Sequence, residues 1–161
     1  MLQRFAVVAL GALVLMALAP SLGYAQSESR PYKAGEYEWR LENRSFVATS
    51  ITSRSGTTPI SKPGDVHVGF GWTATNGGPW LPELFWEANC NEYFYRLRAT
   101  AHRLKLGRSG STEVGCFKAV GEEDDWLSRF FRANPHWRLQ GRRLTLRAGK
   151  RAIELKQPLP H

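Results

Sequence analysis

Short alternating segments separated by turn-forming residues constrain the fold of this chain more than any other feature of its sequence. In residues 66–72, every second residue is apolar, which places Val66, Val68, Phe70 and Trp72 on one face of an extended segment and leaves His67 exposed. Further strands are predicted at 37–41, 46–52, 84–86, 93–98, 103–106, 136–139, 143–147 and 152–156. Because no strand–helix–strand alternation connects them, the pattern predicts a mainly β (α+β) domain with an antiparallel, barrel-like sheet of about eight strands.

One α-helix is predicted near residues 119–133, packed on this sheet. Trp126, Leu127, Phe130 and Phe131 fall on one face at helical spacing. The acidic run 122–125 is interpreted as a solvated first turn, where the helix dipole favours negative charge. The pair Asn134-Pro135 predicts the end of the helix, because Asn tolerates a left-handed cap and Pro cannot continue a helix.

The N-terminal residues are typical of a cleavable export signal. Arg4 precedes an apolar run at 5–19, and Gly23-Tyr24-Ala25 places small residues where signal peptidase cleaves. A transmembrane anchor is the alternative, but the run is short for about 30 Å of hydrocarbon and no basic cluster follows it. We therefore expect a signal peptide (1–25), a flexible leader (26–36), one domain (37–156) and a C-terminal tail (157–161). The mature protein is expected to be a monomer, periplasmic or secreted, with no transmembrane segment.

The chain is basic, with 22 Lys and Arg against 14 Asp and Glu and a net charge of +8. After export, the anions available to it are lipid headgroups, wall polymers and acidic proteins rather than nucleic acid. Cations and leucines alternate at 103–106 and 143–147, so that the cations share one strand face. This face is either the solvated side of half-buried strands or a surface that binds an envelope or extracellular protein or an anionic surface. The candidate residues are Arg96, Arg98, Arg103, Lys105, Arg138, Arg143 and Arg147.

The six tryptophans divide into core and candidate ligand positions. Trp39, Trp72, Trp126 and Trp137 occupy positions typical of the core. Trp80 lies in a predicted loop at 73–82 and Trp86 follows it, and the two either cover one end of the core or contact a small apolar ligand at the mouth of a barrel. A carrier of such a ligand or lipid is therefore the alternative function.

No catalytic, cofactor-binding or metal-binding pattern is found in the sequence. None of the four histidines stands at metal-ligand spacing from another histidine, cysteine or carboxylate. A nucleophile elbow and a phosphate-binding loop are also missing from the sequence. We therefore expect a non-catalytic domain without a cofactor.

Cys90 and Cys116 are the two cysteines of the chain. An even number of cysteines in an exported protein favours a disulfide between them, and two buried free thiols are the alternative. A bridge of this kind would stabilise the fold by restricting the unfolded chain.

Several segments, in this order, resemble those of one known family. They are Trp39-x-Leu41 with residues 46–50, Asn89-Cys90-Asn91-Glu92-Tyr93, the segment 111–116 with Thr112 four residues before Cys116, the helix with its acidic start, and 139–146 with Gly141. Together these segments resemble the META domain, or HslJ-like heat-shock family, over about residues 37–156. Two departures are Asn89, where the family usually has Gly, and the bulky Phe94 and Tyr95 after it.

The resemblance implies a fold more than a function. It implies a small barrel-like domain of lipocalin-like topology with one helix, exported or associated with the cell envelope. Some members of the family are linked to stress or antibiotic tolerance, and none has an established catalytic activity, so a fold-level likeness leaves the function open.

Overall fold

The computed structural model describes residues 36–53, 56–74, 80–112, 115 and 117–159. The predicted signal peptide and nearly all of the predicted leader lie outside these residues, so both stay predictions. The described residues form α1 (Glu36–Leu41), β1 (Arg44–Thr52), a 3-10 turn (Pro63–Asp65), β2 (His67–Ala74), β3 (Trp80–Glu87), β4 (Glu92–Ala99), β5 (Leu104–Ser111), α2 (Lys118–Arg132), β6 (His136–Gln140), β7 (Arg143–Ala148) and β8 (Arg151–Lys156).

The eight strands form one antiparallel sheet in the order β5-β4-β3-β2-β1-β8-β7-β6. Strands that are neighbours in the sheet are also neighbours in sequence, except where β1 pairs with β8. The connection between the two edge strands, β5 and β6, contains α2. This up-and-down order, in a sheet curled into a half-barrel, confirms the predicted mainly β, barrel-like fold.

The edge strands β5 and β6 meet at their first residues. Arg103 and His136 form an isolated antiparallel bridge there. The N–H of Leu104 donates to the carbonyl of Pro135 at 3.0 Å, and the N–H of Trp137 donates to the carbonyl of His102 at 3.1 Å. The curl of the sheet therefore brings the two ends of the strand order together, although they are farthest apart in the sheet diagram.

Helix α2 packs against the inner face of the sheet and fills the core, as the sequence predicts. Leu127, Phe130 and Phe131 are fully buried, and the ring of Phe131 stacks on Trp86 with 5.6 Å between centroids. Asn134 follows the helix with a φ of 51°, which confirms the left-handed cap. Gly141 and Gly149, at φ of 56° and 60°, form the two turns of the β6–β7–β8 meander.

The strand predicted at 37–41 is wrong, because this segment is the helix α1. Glu38 and Leu41, three residues apart and thus on one helical face, are both buried. The carboxylate of Glu38 accepts the N–H of Ala99 through Oε1 at 2.7 Å, which fixes α1 to β4. Trp39 faces away from this contact and is 58% exposed, so its assignment to the core is also wrong.

The acidic run was predicted to be solvated, and this is wrong for its two central residues. Because α2 begins at Lys118, the run lies beyond the first turn, and Glu123 and Asp124 share the inward face with Leu127 and Phe131. Glu123 and Asp124 are 6% and 3% exposed, whereas Glu122 and Asp125 are solvated as predicted. A second difference concerns the loop predicted at 73–82: β2 continues to Ala74 and β3 begins at Trp80, leaving only 75–79, which lie outside the described residues.

Candidate anion-binding face

The seven predicted basic residues all lie on the outer face of the sheet, opposite the core. Their sequence neighbours Leu97, Leu104, Leu144 and Leu146 are buried, and strand alternation turns the cations outward. Six of them are exposed and Arg96 is half-buried. We call these seven residues the basic face: Arg96, Arg98, Arg103, Lys105, Arg138, Arg143 and Arg147.

A row of three paired residues joins the two halves of the basic face. Arg103 bridges His136 across the β5–β6 junction, and His136 pairs with Arg147 of β7. Paired residues point to the same side of a sheet, and adjacent strands lie about 5 Å apart, so the Cα atoms of Arg103 and Arg147 are about 10 Å apart. The cations can form a single surface only if the basic strands are neighbours. The junction between β5 and β6 makes them neighbours.

Like charges face each other within this surface. Arg98 of β4 pairs directly with Lys105 of β5, and Arg143 of β7 pairs with Lys156 of β8. Such pairs are unfavourable by a few tenths of a kcal/mol to about 1 kcal/mol. Within the described part of the chain, the one ion pair is Arg129–Asp125 on α2, so no residue of the basic face forms a close salt bridge there.

An open groove of about 540 Å³ lies within this face, over β3, β4 and β5. Four cations line it: Arg96, Arg98, Lys105 and Arg108. Leu81, Leu97 and Leu106 add an apolar component, and Gly107 lies between Leu106 and Arg108. The sequence-based prediction missed Leu81, Gly107 and Arg108, because it placed Leu81 in the loop at 73–82 and ended the strand of Arg103 at Leu106.

Glu83 is the acidic residue opposite Arg96 in the β3–β4 pairing. Burial raises the pKa of Glu83, while the charge of Arg96 opposes this shift. The Nη1 atom of Arg96 is itself buried and has no hydrogen-bond acceptor among the described residues. One guanidinium nitrogen of a groove-lining residue is therefore buried and unsatisfied within that part of the protein.

The two candidate ligand-contacting tryptophans are not brought together. Trp80 and Trp86 lie on the same side of β3, but six residues separate them by about 20 Å. Trp80 is 57% exposed, whereas Trp86 is fully buried, stacked on Tyr93 at 4.1 Å as well as on Phe131. Trp86 is therefore a core residue and does not contact a ligand at a barrel mouth.

A second polar site, which the sequence did not predict, surrounds the two buried carboxylates of α2. Glu123 Oε2 accepts the side-chain amide of Asn89 at 2.6 Å, and Glu123 Oε1 accepts the N–H and hydroxyl of Ser61 at 3.2 and 3.3 Å. Asp124 Oδ2 accepts the amide of Asn91 at 3.3 Å and the hydroxyl of Tyr93 at 3.4 Å. These bonds attach α2 to the loops before β2 and β4.

Burial raises the pKa of Asp124, and the hydrogen bonds from Asn91 and Tyr93 oppose the shift only in part. Burial, followed by the negative charge of Asp124, raises the pKa of Tyr93. The other carboxylate oxygen of Asp124, Oδ1, is buried with no partner among the described residues. These are the properties of a structural hydrogen-bond cluster in which the core disfavours the ionisation of Asp124 and Tyr93.

The remaining predicted sites receive no further support. Cys116 lies outside the described residues, so its disulfide with Cys90 stays a prediction. In the described ranges, histidine, cysteine and carboxylate side chains do not gather in a group of three or more that could hold a metal ion. None of the helices described is long and apolar enough to span a bilayer.

Comparison with known proteins identifies the class of domain to which this fold and this sequence belong. A family model described as the META domain matches residues 39–158, which is well over half of the chain. The protein therefore belongs to the META domain family, as its cysteine-containing and hairpin motifs suggested. A search of curated proteins finds no match.

Two solved structures share the fold. One, from Burkholderia xenovorans and determined by NMR, is 14% identical, with a TM-score of 0.57 over 85% of this chain and 98% of the other. A second NMR structure is 18% identical, with a TM-score of 0.52 over 74% of this chain and 92% of the other. At such low identity, the likeness extends to the fold alone.

Proposed function

We propose that this META domain is a non-catalytic, exported binding module that holds an anionic component of the cell envelope or its surroundings against the basic face. The observation that carries the proposal is the Arg103–His136–Arg147 row, which joins the cations of β4 and β5 to those of β6 and β7. Cations spread over four strands create a field that attracts an extended anion more strongly than separate charges would.

The unfavourable Arg98–Lys105 and Arg143–Lys156 pairs support a functional role for this surface. On a face that is needed only for solubility, like charges directly opposite each other lower the stability of the sheet without a benefit. A bound anion offsets the repulsion between these paired cations. The electrostatic free energy gained in this way adds to the free energy of binding.

The alternative function, a carrier of an apolar ligand held between Trp80 and Trp86, has less support. Trp86 offers no exposed surface to a ligand, and Trp80 lies about 20 Å away along the strand. We therefore place the binding function on the outer face and not in the interior of the half-barrel.

The proposal is tested by sedimentation with lipid vesicles that contain anionic phosphatidylglycerol and with purely zwitterionic vesicles, at low and high salt. The double variant Arg143→Glu/Arg147→Glu should bind anionic vesicles at least about tenfold more weakly, since each cation near such a surface contributes about 1 kcal/mol. Binding of the unmodified protein should weaken as salt rises.

The matched control is Lys118→Glu/Arg132→Glu, which changes the net charge equally but at exposed positions of α2. It should retain most of the binding. Equal binding by the Arg143→Glu/Arg147→Glu variant and the unmodified protein would refute the proposal, as would equal losses in the two double variants, since only net charge would then matter.

A further inference from the structure

We propose that the groove over β3, β4 and β5 is a discrete site for the phosphodiester head group of an anionic phospholipid. This inference rests on the proposed function, because it names the chemistry that one part of the basic face recognises. It goes further in placing a single lipid head group at a defined position, with cations around the phosphate and apolar side chains beside them.

The clustered donors in the groove fit a single phosphate group better than they fit a diffuse anionic surface. Arg96, Arg98, Lys105 and Arg108 surround a space of about 540 Å³, within the range of about 300–1,000 Å³ typical of small-molecule sites. Three of these four cations are arginines, whose guanidinium groups form paired, charge-assisted hydrogen bonds with phosphate oxygens.

The space in the groove depends on Gly107. A Cβ atom at this position would stand 3.4 Å from the Cβ of Arg96, so a larger side chain would extend beside Arg96 in the groove. The φ of Gly107 lies outside the left-handed region, so the backbone does not require glycine here. We therefore infer that the glycine leaves space in the groove and is not needed for the conformation of the backbone.

The apolar surroundings favour a lipid over a free phosphate ion. Leu81 and Leu106 line the groove next to the cations. A phospholipid carries both a negative phosphate and hydrocarbon chains, so it matches both parts of this surface.

The test uses dihexanoyl phosphatidylglycerol as a monomer, below its micelle concentration, with binding measured by isothermal titration calorimetry. Dihexanoyl phosphatidylcholine and inorganic phosphate are titrated in parallel. We expect the anionic lipid to bind at least about tenfold more tightly than either, since phosphatidylcholine adds a positive charge and phosphate lacks the chain. Equal binding of inorganic phosphate would overturn the assignment to a lipid, and no binding of the anionic lipid would overturn the site.

Two variants and one control locate the binding. Gly107→Val keeps every charge but fills the groove, and Arg96→Gln removes one of the guanidinium groups that line it. Each variant should bind the anionic lipid at least about tenfold more weakly. Gly110→Val is the control, because Gly110 lies in the same strand, has open space around its Cβ position and does not line the groove. Unchanged affinity in both groove variants, or an equal loss in the control, would overturn the inference.

The two proposals fail separately. If monomeric lipid does not bind while anionic vesicles still sediment the protein in a manner that depends on Arg143 and Arg147, the groove is wrong and the binding face stands. If vesicles also fail to bind, the proposed function is wrong.

Discussion

Glu123 holds α2 to the two loops beside it, and its replacement by alanine gives the most direct test of how this fold is stabilised. The carboxylate is 6% exposed and accepts three hydrogen bonds, one from Asn89 and two from Ser61. Glu123→Ala removes all three bonds without changing the helical propensity of the position by more than a few tenths of a kcal/mol.

The magnitude follows from the geometry of these bonds. The 2.6 Å bond from Asn89 to a charged acceptor contributes about 1.5–3 kcal/mol. The two longer bonds from Ser61 add about 1 kcal/mol together, since Ser61 is exposed and can bond to water in the variant. Relief of a buried charge offsets part of this loss, by about 1–2 kcal/mol. The net destabilisation is about 2 kcal/mol, which lowers Tm by about 6–10 °C for a domain of this size.

The assay is urea unfolding followed by tryptophan fluorescence, with Glu122→Ala as the control. Glu122 is the exposed neighbour on the same helix, and its loss should change the free energy of unfolding by less than about 0.5 kcal/mol. In a double-mutant cycle, Glu123→Ala and Asn89→Ala should be coupled by about 1 kcal/mol or more. A free energy for Glu123→Ala within error of that for Glu122→Ala would refute the assignment of Glu123 as the attachment point of α2.

Two further predictions concern the other buried carboxylates. Because the folded protein raises the pKa of Asp124 above its usual 3.8, it binds this proton more tightly than the unfolded chain, so the stabilisation is present at low pH and is lost as pH rises through the folded pKa. Asp124→Asn, which cannot ionise, should therefore gain stability relative to the unmodified protein between about pH 3 and pH 7, as measured by urea midpoints; a constant or falling difference would contradict this. Glu38→Ala should cost about 2 kcal/mol because it leaves the buried N–H of Ala99 without an acceptor, and Glu38→Gln, which keeps a carbonyl oxygen, should cost less than half of that. Equal losses in thermal unfolding would show that Glu38 does not act through this bond.

Most of the sheet was predictable because its strands are half-buried. In β6, β7 and β8, apolar and polar side chains alternate and tight glycine turns separate the strands, so local sequence determines both the strands and their register. The same alternation correctly placed the basic face outward. The meeting of β5 with β6 was not predictable from local pattern, because it arises from the curl of the whole sheet.

The failures have a common physical cause, which is the burial of polar side chains by partners distant in sequence. Glu38 is buried because Ala99 offers it an N–H, and Glu123 is buried because Asn89 and Ser61 offer it amide and hydroxyl groups. A rule that places charged residues in solvent does not take such distant hydrogen-bond partners into account. It therefore assigns a strand to 37–41, where the helix α1 buries Glu38 and Leu41 together, and a solvated turn to the acidic run.

Protection of sheet edges is the strongest competing explanation for the basic face, and the topology separates it from anion binding. Lysine and arginine on edge strands prevent pairing with another chain, and this accounts for Lys105 on β5 and Arg138 on β6. It does not account for Arg98, Arg143 or Arg147, which lie on the interior strands β4 and β7, where every strand already has two neighbours. If edge protection were the whole explanation, Arg143→Glu/Arg147→Glu would leave both anion binding and solubility unchanged. Loss of binding without aggregation is the result that only an anion-binding face produces.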